Sequence, residues 1–229
     1  LCNAEAVAVD SPNPSPARYV VPQSLRDVEL IDMLELTGSA TRAAALLHLS
    51  QPTVSRRYQG IARDLGLTRR SRNDPGLRFG DSPSLRLMRQ ALNLHRWQAG
   101  QLRVGCRRGL ESALTSLPQL QVVELDHHPP GSWWELVTHQ LLDGLVLDEG
   151  AAGADGAVAG DGVAIGDGPS TVALALAVRH RQPLRLLCRR HGPILAVLER
   201  LGHAGNVAGV CAGAGGGPMA GQLARRALR

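Results

Sequence analysis

Lysine is absent from all 229 residues, so every one of the 25 basic side chains is an arginine. Aromatic residues are scarce too: one Phe, two Tyr and three Trp make up 3% of the chain, which leaves a core to be built mainly from aliphatic side chains. Hydrophobic content is an ordinary 44%, and the length is ample for a real core in one or two domains. Long apolar runs are missing. The longest, Val172 to Val178, falls far short of the roughly 20 residues that a bilayer demands, so an integral membrane protein is excluded. The four cysteines, Cys2, Cys106, Cys188 and Cys211, form no C-x-x-C pair, which argues against a disulfide scaffold or a zinc ribbon and fits a reducing cytoplasm. A basic leader is missing as well: the first seventeen residues hold Glu5 and Asp10 but no arginine, so no secretory signal is expected. The chain as given begins at Leu1 rather than Met, as a fragment or an unusual start codon would.

What is present is unevenly placed. Between Arg42 and Arg78 eight arginines face two acids, Asp64 and Asp74, for a net +6. From Gly109 to Val178 there is no arginine, while ten acids accumulate. Such separation suits a polyanion-binding module joined to a differently employed one.

Residues 1–23, with Pro12, Pro14, Pro16 and Pro22, read as a disordered lead-in. Leu25, Val28, Ile31 and Leu34 recur three apart and predict a helix over 25–36 that Gly38 stops. Ser39 can cap a second helix, Thr41 to Leu47, carrying the small residues Ala43, Ala44 and Ala45. After a break at His48-Leu49-Ser50 a third helix follows, with Ser50 as N-cap and Pro52 in the first turn. Its buried stripe is Val54, Tyr58, Ile61 and Leu65, and Gly66 ends it. The turn signal Asn73-Asp74-Pro75-Gly76 between Thr68–Arg72 and Leu77–Phe79 predicts a small basic hairpin. Ser82 and Pro83 then open a helix to about Trp97, with two apolar seams: Leu85, Met88 and Leu92, and Leu87, Ala91 and Leu94. Two seams suggest a partner helix, although packing within the chain would use the same spacing.

Beyond Gly100, strands at 102–105, 121–125 and 145–147 alternate with helices at 109–116 and 133–142, which predicts an α/β unit with a parallel sheet. Residues 149–170 are rich in Gly, Ala and Asp and read as a flexible loop. Further strands are expected at 172–178, 184–188 and 207–212, with helices at 193–201 and 222–229, the last preceded by a low-complexity run at 213–217.

Two short helices joined by a tight turn, the second bearing exposed polar and basic residues, make a helix-turn-helix candidate. Such a helix must offer its first turns to base edges while its other face docks on the helix before it. Gln51, Pro52, Thr53, Ser55 and Arg56 lie in those turns: Gln suits adenine, Arg suits guanine, and Ser or Thr suits either base or phosphate. Arg57 and the hairpin's Arg69, Arg70, Arg72 and Arg78 would serve phosphates or a neighbouring minor groove.

The run Gly38-Ser39-Ala40-Thr41-Arg42-Ala43-Ala44, followed by Leu47-His48-Leu49-Ser50-Gln51-Pro52-Thr53-Val54-Ser55-Arg56, closely resembles the DNA-binding domain of LysR-type transcriptional regulators. The likeness is strongest over residues 25–66 and extends to about 148. The basic hairpin takes the place of the family's wing, and the helix from Pro83 that of its dimerising linker. Leu102-Arg103-Val104-Gly105, Leu117-Pro118 and the stretch from Glu135 to Asp148 are similar to the opening of its effector domain.

The resemblance implies a winged helix-turn-helix over 24–80, a linker helix over 81–99, and a small, truncated α/β effector domain of the periplasmic-binding-protein-like type 2 fold over 101–229. It implies DNA contacts from Ser39, Thr41, Arg42, Ser50, Gln51, Pro52, Thr53, Ser55, Arg56 and Arg57, with the wing's Arg69, Arg70, Arg72 and Arg78. Dimerisation would use Leu85, Met88 and Leu92, and ligand contacts would fall at Cys106, Arg107, Trp133 and Trp134. Implied partners are double-stranded DNA, a second or further copies of the chain, a small-molecule inducer and RNA polymerase, in the cytoplasm and on the nucleoid. Two departures stand out: Leu67-Thr68-Arg69-Arg70 replaces the usual Phe after the helix-ending Gly, and the exit reads Phe79-Gly80-Asp81-Ser82-Pro83.

Other chemistry finds less support. Asp126-His127-His128 and Cys188-x-x-His191 lack a second pair at ligand spacing, so no metal is expected. The Gly213–Gly217 run lacks the Lys-Ser/Thr of a phosphate loop. Cys106 beside Arg107 and Arg108 could be a redox thiolate, but a buried strand-end cysteine is the favoured reading. No catalytic constellation stands out, and neither enzyme nor cofactor is expected. Two alternatives stay open: a small-molecule-binding or enzymatic α/β protein with a vestigial helix-turn-helix, and a degenerate regulator that binds DNA constitutively without sensing a ligand.

Overall fold

The computed structural model describes residues 19–71, 76–148, 171–181, 184–189, 192–203, 205 and 207–211. The expected lead-in up to residue 18, the Gly-rich stretch 149–170, the hairpin tip 72–75, the run 213–217 and the terminal helix at 222–229 lie outside these residues.

A 3-10 turn, Gln23–Leu25, leads into α1 (Arg26–Thr37), which Gly38 ends in the left-handed conformation at φ 61°. Then come α2 (Ala40–Leu47), α3 (Gln51–Asp64) and α4 (Pro83–Gln98). Two of the three expected serine caps form: Ser50 Oγ accepts the Thr53 N–H at 3.3 Å, and Ser82 Oγ accepts that of Leu85 at 3.2 Å. Ser39 caps nothing through its side chain; its carbonyl accepts the Thr37 hydroxyl instead.

The α/β half runs β1 (Leu102–Cys106), α5 (Glu111–Leu114), β2 (Leu120–Glu124), α6 (Trp133–Thr138), β3 (Gly144–Asp148), β4 (Thr171–Leu176), β5 (Leu184–Arg189), α7 (Gly192–His203) and β6 (Val207–Cys211). Helix α6 is shorter than the predicted 133–142, because Gln140 takes a left-handed φ of 63° and turns the chain toward β3. The sheet is mixed, not parallel. Its order is β2-β1-β3-β5-β4-β6, with β1 parallel to β2 and β3, and the β3–β5, β5–β4 and β4–β6 pairs antiparallel. The reason is chain length: β4 and β5 are joined by residues 177–183, too few for the crossover that a parallel pair needs.

Alternate strand residues feed two hydrophobic clusters. One holds Leu102, Val104, Cys106, Val146, Leu184, Leu186 and Cys188 against Leu110, just before α5, Leu114 of α5 and Ile194, Val197, Leu198 and Leu201 of α7. The other holds Val123, Leu145, Leu147 and Leu187 against Trp133, Leu136 and Val137 of α6. The same second cluster continues through Val28, Leu30, Ile31, Met33, Leu34 and Leu36 of α1, Leu85 and Leu92 of α4, and Val54 of α3. The helical module is therefore a layer of the α/β sandwich. Every residue of α1 from Val28 to Thr37 is buried, where the sequence predicted one buried face.

Burying α1 on all sides also buries its acids. Asp32 is bonded to Arg89 Nε of α4 at 2.7 Å and lies 3.4 Å from Arg103 Nη1 of β1, while Glu29 lies 3.4 Å from Arg103 Nη2. Asp143, just before β3, accepts from Arg96 Nη2 at 2.9 Å, from Trp97 Nε1 at 3.0 Å and from the Arg103 backbone N–H at 2.6 Å. Desolvation, aided by the neighbouring Arg96, pushes the Arg103 guanidinium down to about 10 against the pull of Asp32, Glu29 and Asp143. It is still charged at neutral pH. Buried charges survive only when paired, so these contacts decide how α1, α4 and the sheet fit together.

Candidate nucleic-acid interface

Helix α3 docks because α2 offers it small residues. Ala43 and Ala44 are buried against Val54, so the two helices approach closely. The tight turn is closed by the Leu49 N–H on the Ala44 carbonyl at 2.9 Å, with His48 left-handed at φ 54°. This geometry presents the first turns of α3 outward. Gln51, Pro52 and Arg56 are exposed, and Thr53 and Ser55 half-buried. Their polar groups are bonded to one another: Gln51 Nε2 donates to Ser55 Oγ at 2.9 Å, Ser50 and Thr53 share a hydroxyl contact at 2.7 Å, and Arg56 Nε reaches the Pro52 carbonyl at 3.4 Å. All of these bonds are at the surface, and base edges could replace them at little cost. Thr41 and Arg42 stand exposed at the start of α2, with Ser39 half-buried before them.

Arg57 is placed differently from Arg56. Its guanidinium pairs with Asp27 of α1, its Nε donating at 3.0 Å, and it ties α3 to α1. Its first role is structural, whereas the sequence assigned it to phosphate.

The wing has a specific foundation. Arg69 and Arg70 are exposed, while Arg78 is half-buried and donates to the Gly38 carbonyl at 3.2 Å. The flanks meet through the Arg70 N–H on the Arg78 carbonyl at 2.8 Å; neither flank is a regular strand, and Arg72 lies outside the described residues. Phe79 is buried edge-on against Tyr58, with ring centroids 5.4 Å apart, and its carbonyl accepts the Tyr58 hydroxyl at 3.0 Å. Burial raises the Tyr58 phenol, so it stays a donor. The guanidiniums of Arg69 and Arg78 sit 5.1 and 5.4 Å from the Phe79 ring centre. Beneath the wing, the Glu35 carboxylate accepts two successive backbone N–H groups, Arg78 at 2.9 Å and Phe79 at 2.8 Å. Sequence reasoning missed Glu35 and Asp27; the available signal was acids at Glu29, Asp32 and Glu35, three apart inside an apolar helix.

The supposed dimerisation residues point inward. Leu85 and Leu92 are completely buried and Met88 packs beside them, because α4 lies across α1 in the shared core. The outward stripe is the other one: Leu87 is 68% exposed, Leu94 is 44% exposed, and Ala91 is open between them. The supposed ligand residues do not converge. Cys106 is buried in the cluster on one side of the sheet and Trp133 in the cluster on the other, with Trp134 half-buried beside Trp133; only Arg107 is exposed. Burial pushes the Cys106 thiol up to about 12, with Glu124, Glu111 and Asp126 adding to it, so it stays protonated despite its arginine neighbours. Among the described residues, no group of acids, histidines and cysteines could hold a metal, and no helix is long and apolar enough to cross a membrane.

Residues 25–76 match the family described as bacterial regulatory helix-turn-helix protein, lysR family. This segment is a LysR-type helix-turn-helix domain. It covers α1 to the wing, and with the mixed sheet it makes the fold a helix-turn-helix plus α/β unit. Among solved structures, a full-length OxyR variant from Pseudomonas aeruginosa is 19% identical, with 54% of this chain covering 50% of that one at a TM-score of 0.32. An OxyR variant from Corynebacterium glutamicum is 14% identical, with coverages of 72% and 56% and a TM-score of 0.30. Full-length CbnR complexed with target DNA is 20% identical, with coverages of 54% and 48% and a TM-score of 0.24. The chain spans about half the length of these proteins. None of the curated protein sequences matches it.

Proposed function

We propose that this chain is a LysR-type transcription regulator that binds double-stranded DNA sequence-specifically as a dimer or higher oligomer. The observation that carries the reading is the surface from Gln51 to Arg56: it is exposed, polar and set on a capped helix held by Ala43, Ala44 and Val54 within the matched domain. Gln51, Thr53, Ser55 and Arg56 read base edges, while Ser39, Thr41, Arg42, Ser50 and the wing arginines hold phosphates. Self-association uses the Leu87–Ala91–Leu94 stripe, setting two reading helices against a dyad-symmetric operator. The helical module (24–80) and linker (81–99) are functional divisions of the chain; in packing they share one core with the rest. The work takes place in the cytoplasm, where the DNA is.

The α/β half has the opening strand order β2-β1-β3 with helices on both sides, in keeping with a periplasmic-binding-protein-like beginning. A small-molecule signal would enter at the carboxyl ends of β1 and β3, whose next strands in the chain, β2 and β4, lie on opposite sides in the sheet order, and where Arg107 is exposed.

The test is selection of bound duplexes from a random library by the full chain, in the presence of a competing polyanion. A recovered consensus with dyad symmetry supports the reading, and recovery without sequence preference refutes it. On a selected duplex, Arg56→Ala should cost about 1–3 kcal/mol and relax preference at one base pair. Equal loss on selected and random duplexes would make Arg56 a phosphate contact.

A further inference from the structure

We infer that Glu35 is the positioning residue of the wing and that His128 ties it to the α/β half, so that the wing's arginines are placed from both sides. The inference rests on the DNA-binding reading above. Glu35 sits in the last turn of α1 and is almost wholly buried. Both carboxylate oxygens are used: Oε1 accepts from Arg78 N–H and Oε2 from Phe79 N–H. Those two residues carry the geometry of Arg69 and Arg78, because the Phe79 ring underlies both guanidiniums and its carbonyl is held by Tyr58. A carboxylate with two backbone donors is a charge-assisted bond pair in a dry place, worth more than the same pair in water.

Glu35 is held a second time through its main chain. His128 Nε2 lies 3.0 Å from the Glu35 carbonyl and 3.2 Å from that of Leu36. Carbonyls only accept, so Nε2 carries the hydrogen and shares it between two carbonyls that the end of α1 leaves without helical donors. His128 belongs to the segment between β2 and α6, the Trp133 indole N–H donates to its carbonyl at 2.9 Å, and the neighbouring His127 packs on Gly38. A displacement of that segment would therefore pull on the residue that holds the wing. Gly38 lies between the two holds, its left-handed φ ending α1 and its carbonyl accepting from Arg78.

The experiment measures binding of the full chain to a mixed-sequence duplex across a salt series. Each phosphate contact contributes about 0.9 to the slope of log affinity against log salt. Glu35→Gln keeps the shape but must turn an N–H toward a backbone N–H. It should flatten the slope by roughly 1–2 units, with Arg69 and Arg78 displaced together. Arg69→Ala, at an exposed position, should flatten it by about 0.9, and adding it to Glu35→Gln should flatten it little further. Duplex addition should also change the tryptophan fluorescence of the wild-type chain. His128→Ala should abolish that change, and His128→Gln, which can still donate, should restore it. An Arg69→Ala chain or a folded Glu35→Gln chain with the wild-type slope overturns the positioning role. A fluorescence response that survives His128→Ala overturns the tie. Failure of the wild-type chain to bind any duplex would instead sink the DNA-binding reading itself.

Discussion

Replacing Asp32 with alanine tests whether the LysR-type module and the sheet are one body. Asp32 is fully buried in the middle of α1; its Oδ1 bonds Arg89 of α4 and its Oδ2 faces Arg103 of β1. Without it, Arg89 has no carboxylate within ion-pair distance among the described residues, and Arg103 keeps Glu29 as an ion-pair partner and the Gln121 side-chain oxygen as an acceptor. Removing one partner of a buried pair costs about 3–5 kcal/mol, because the orphaned charge can neither be hydrated nor leave. At about 2–4 °C per kcal/mol for a chain of this size, Tm should fall by roughly 6–20 °C. The double change Asp32→Leu with Arg89→Met removes the orphan as well and should recover most of that loss. Urea unfolding would be followed by far-ultraviolet circular dichroism, which is dominated by the helices, and by the fluorescence of Trp97, Trp133 and Trp134 on α4 and α6. Both signals should shift together. A loss below about 1 kcal/mol, or a helical signal that melts separately from the fluorescence, would refute the shared-core reasoning.

Three further outcomes follow from the same contacts. Cys106 and Cys188 are buried with thiols pushed up to about 12, so at neutral pH roughly one in 10⁵ is thiolate, and both should resist alkylation in native protein but label fully in urea; rapid native labelling, mapped by mass spectrometry, would contradict their burial. Desolvation raises the Glu29 carboxyl above its usual 4.5 against the pull of Arg103 and Arg96. Between 4.5 and that raised value the folded chain keeps a proton that the unfolded chain has lost, so this group's contribution declines as pH rises through the window, and Glu29→Gln should flatten stability there when it is scanned by urea titration. Leu87→Glu with Leu94→Glu should yield monomers in analytical ultracentrifugation with Tm nearly unchanged, whereas Leu92→Glu should unfold the chain; equal behaviour of the two would remove the outward stripe as the association surface.

The helix-turn-helix was legible because its constraints are local. Ser50, Pro52 and the small residues Ala43 and Ala44 dictate a cap, a first turn and a close helix contact within a few residues, and the structure realises each of them. The strands of the α/β half were also readable from short apolar runs between turn signals. Their direction was misread: the short connection 177–183 already forbade a parallel β4–β5 pair, but that β5 would also pair with β3 was decided only in the assembled sheet. Arg57 illustrates the limit at the interface. From its place on α3 it looks as available as Arg56, but Asp27 lies thirty residues away in the chain and beside it in space.

Glu35, His128 and the Asp32 network show the same thing for the core. A charge on a helix reads as solvated until a second layer covers it, and then it must find a partner or cost several kcal/mol. Sequence periodicity and local residue types determined the four N-terminal helices, the caps at Ser50 and Ser82 and the surface of α3. Only the tertiary structure decided which seam of α4 faces inward, which arginines are committed to buried acids, and that α1 serves the reading head and the sheet at once. Those outcomes depend on what packs over each residue, and local spacing carries no record of it.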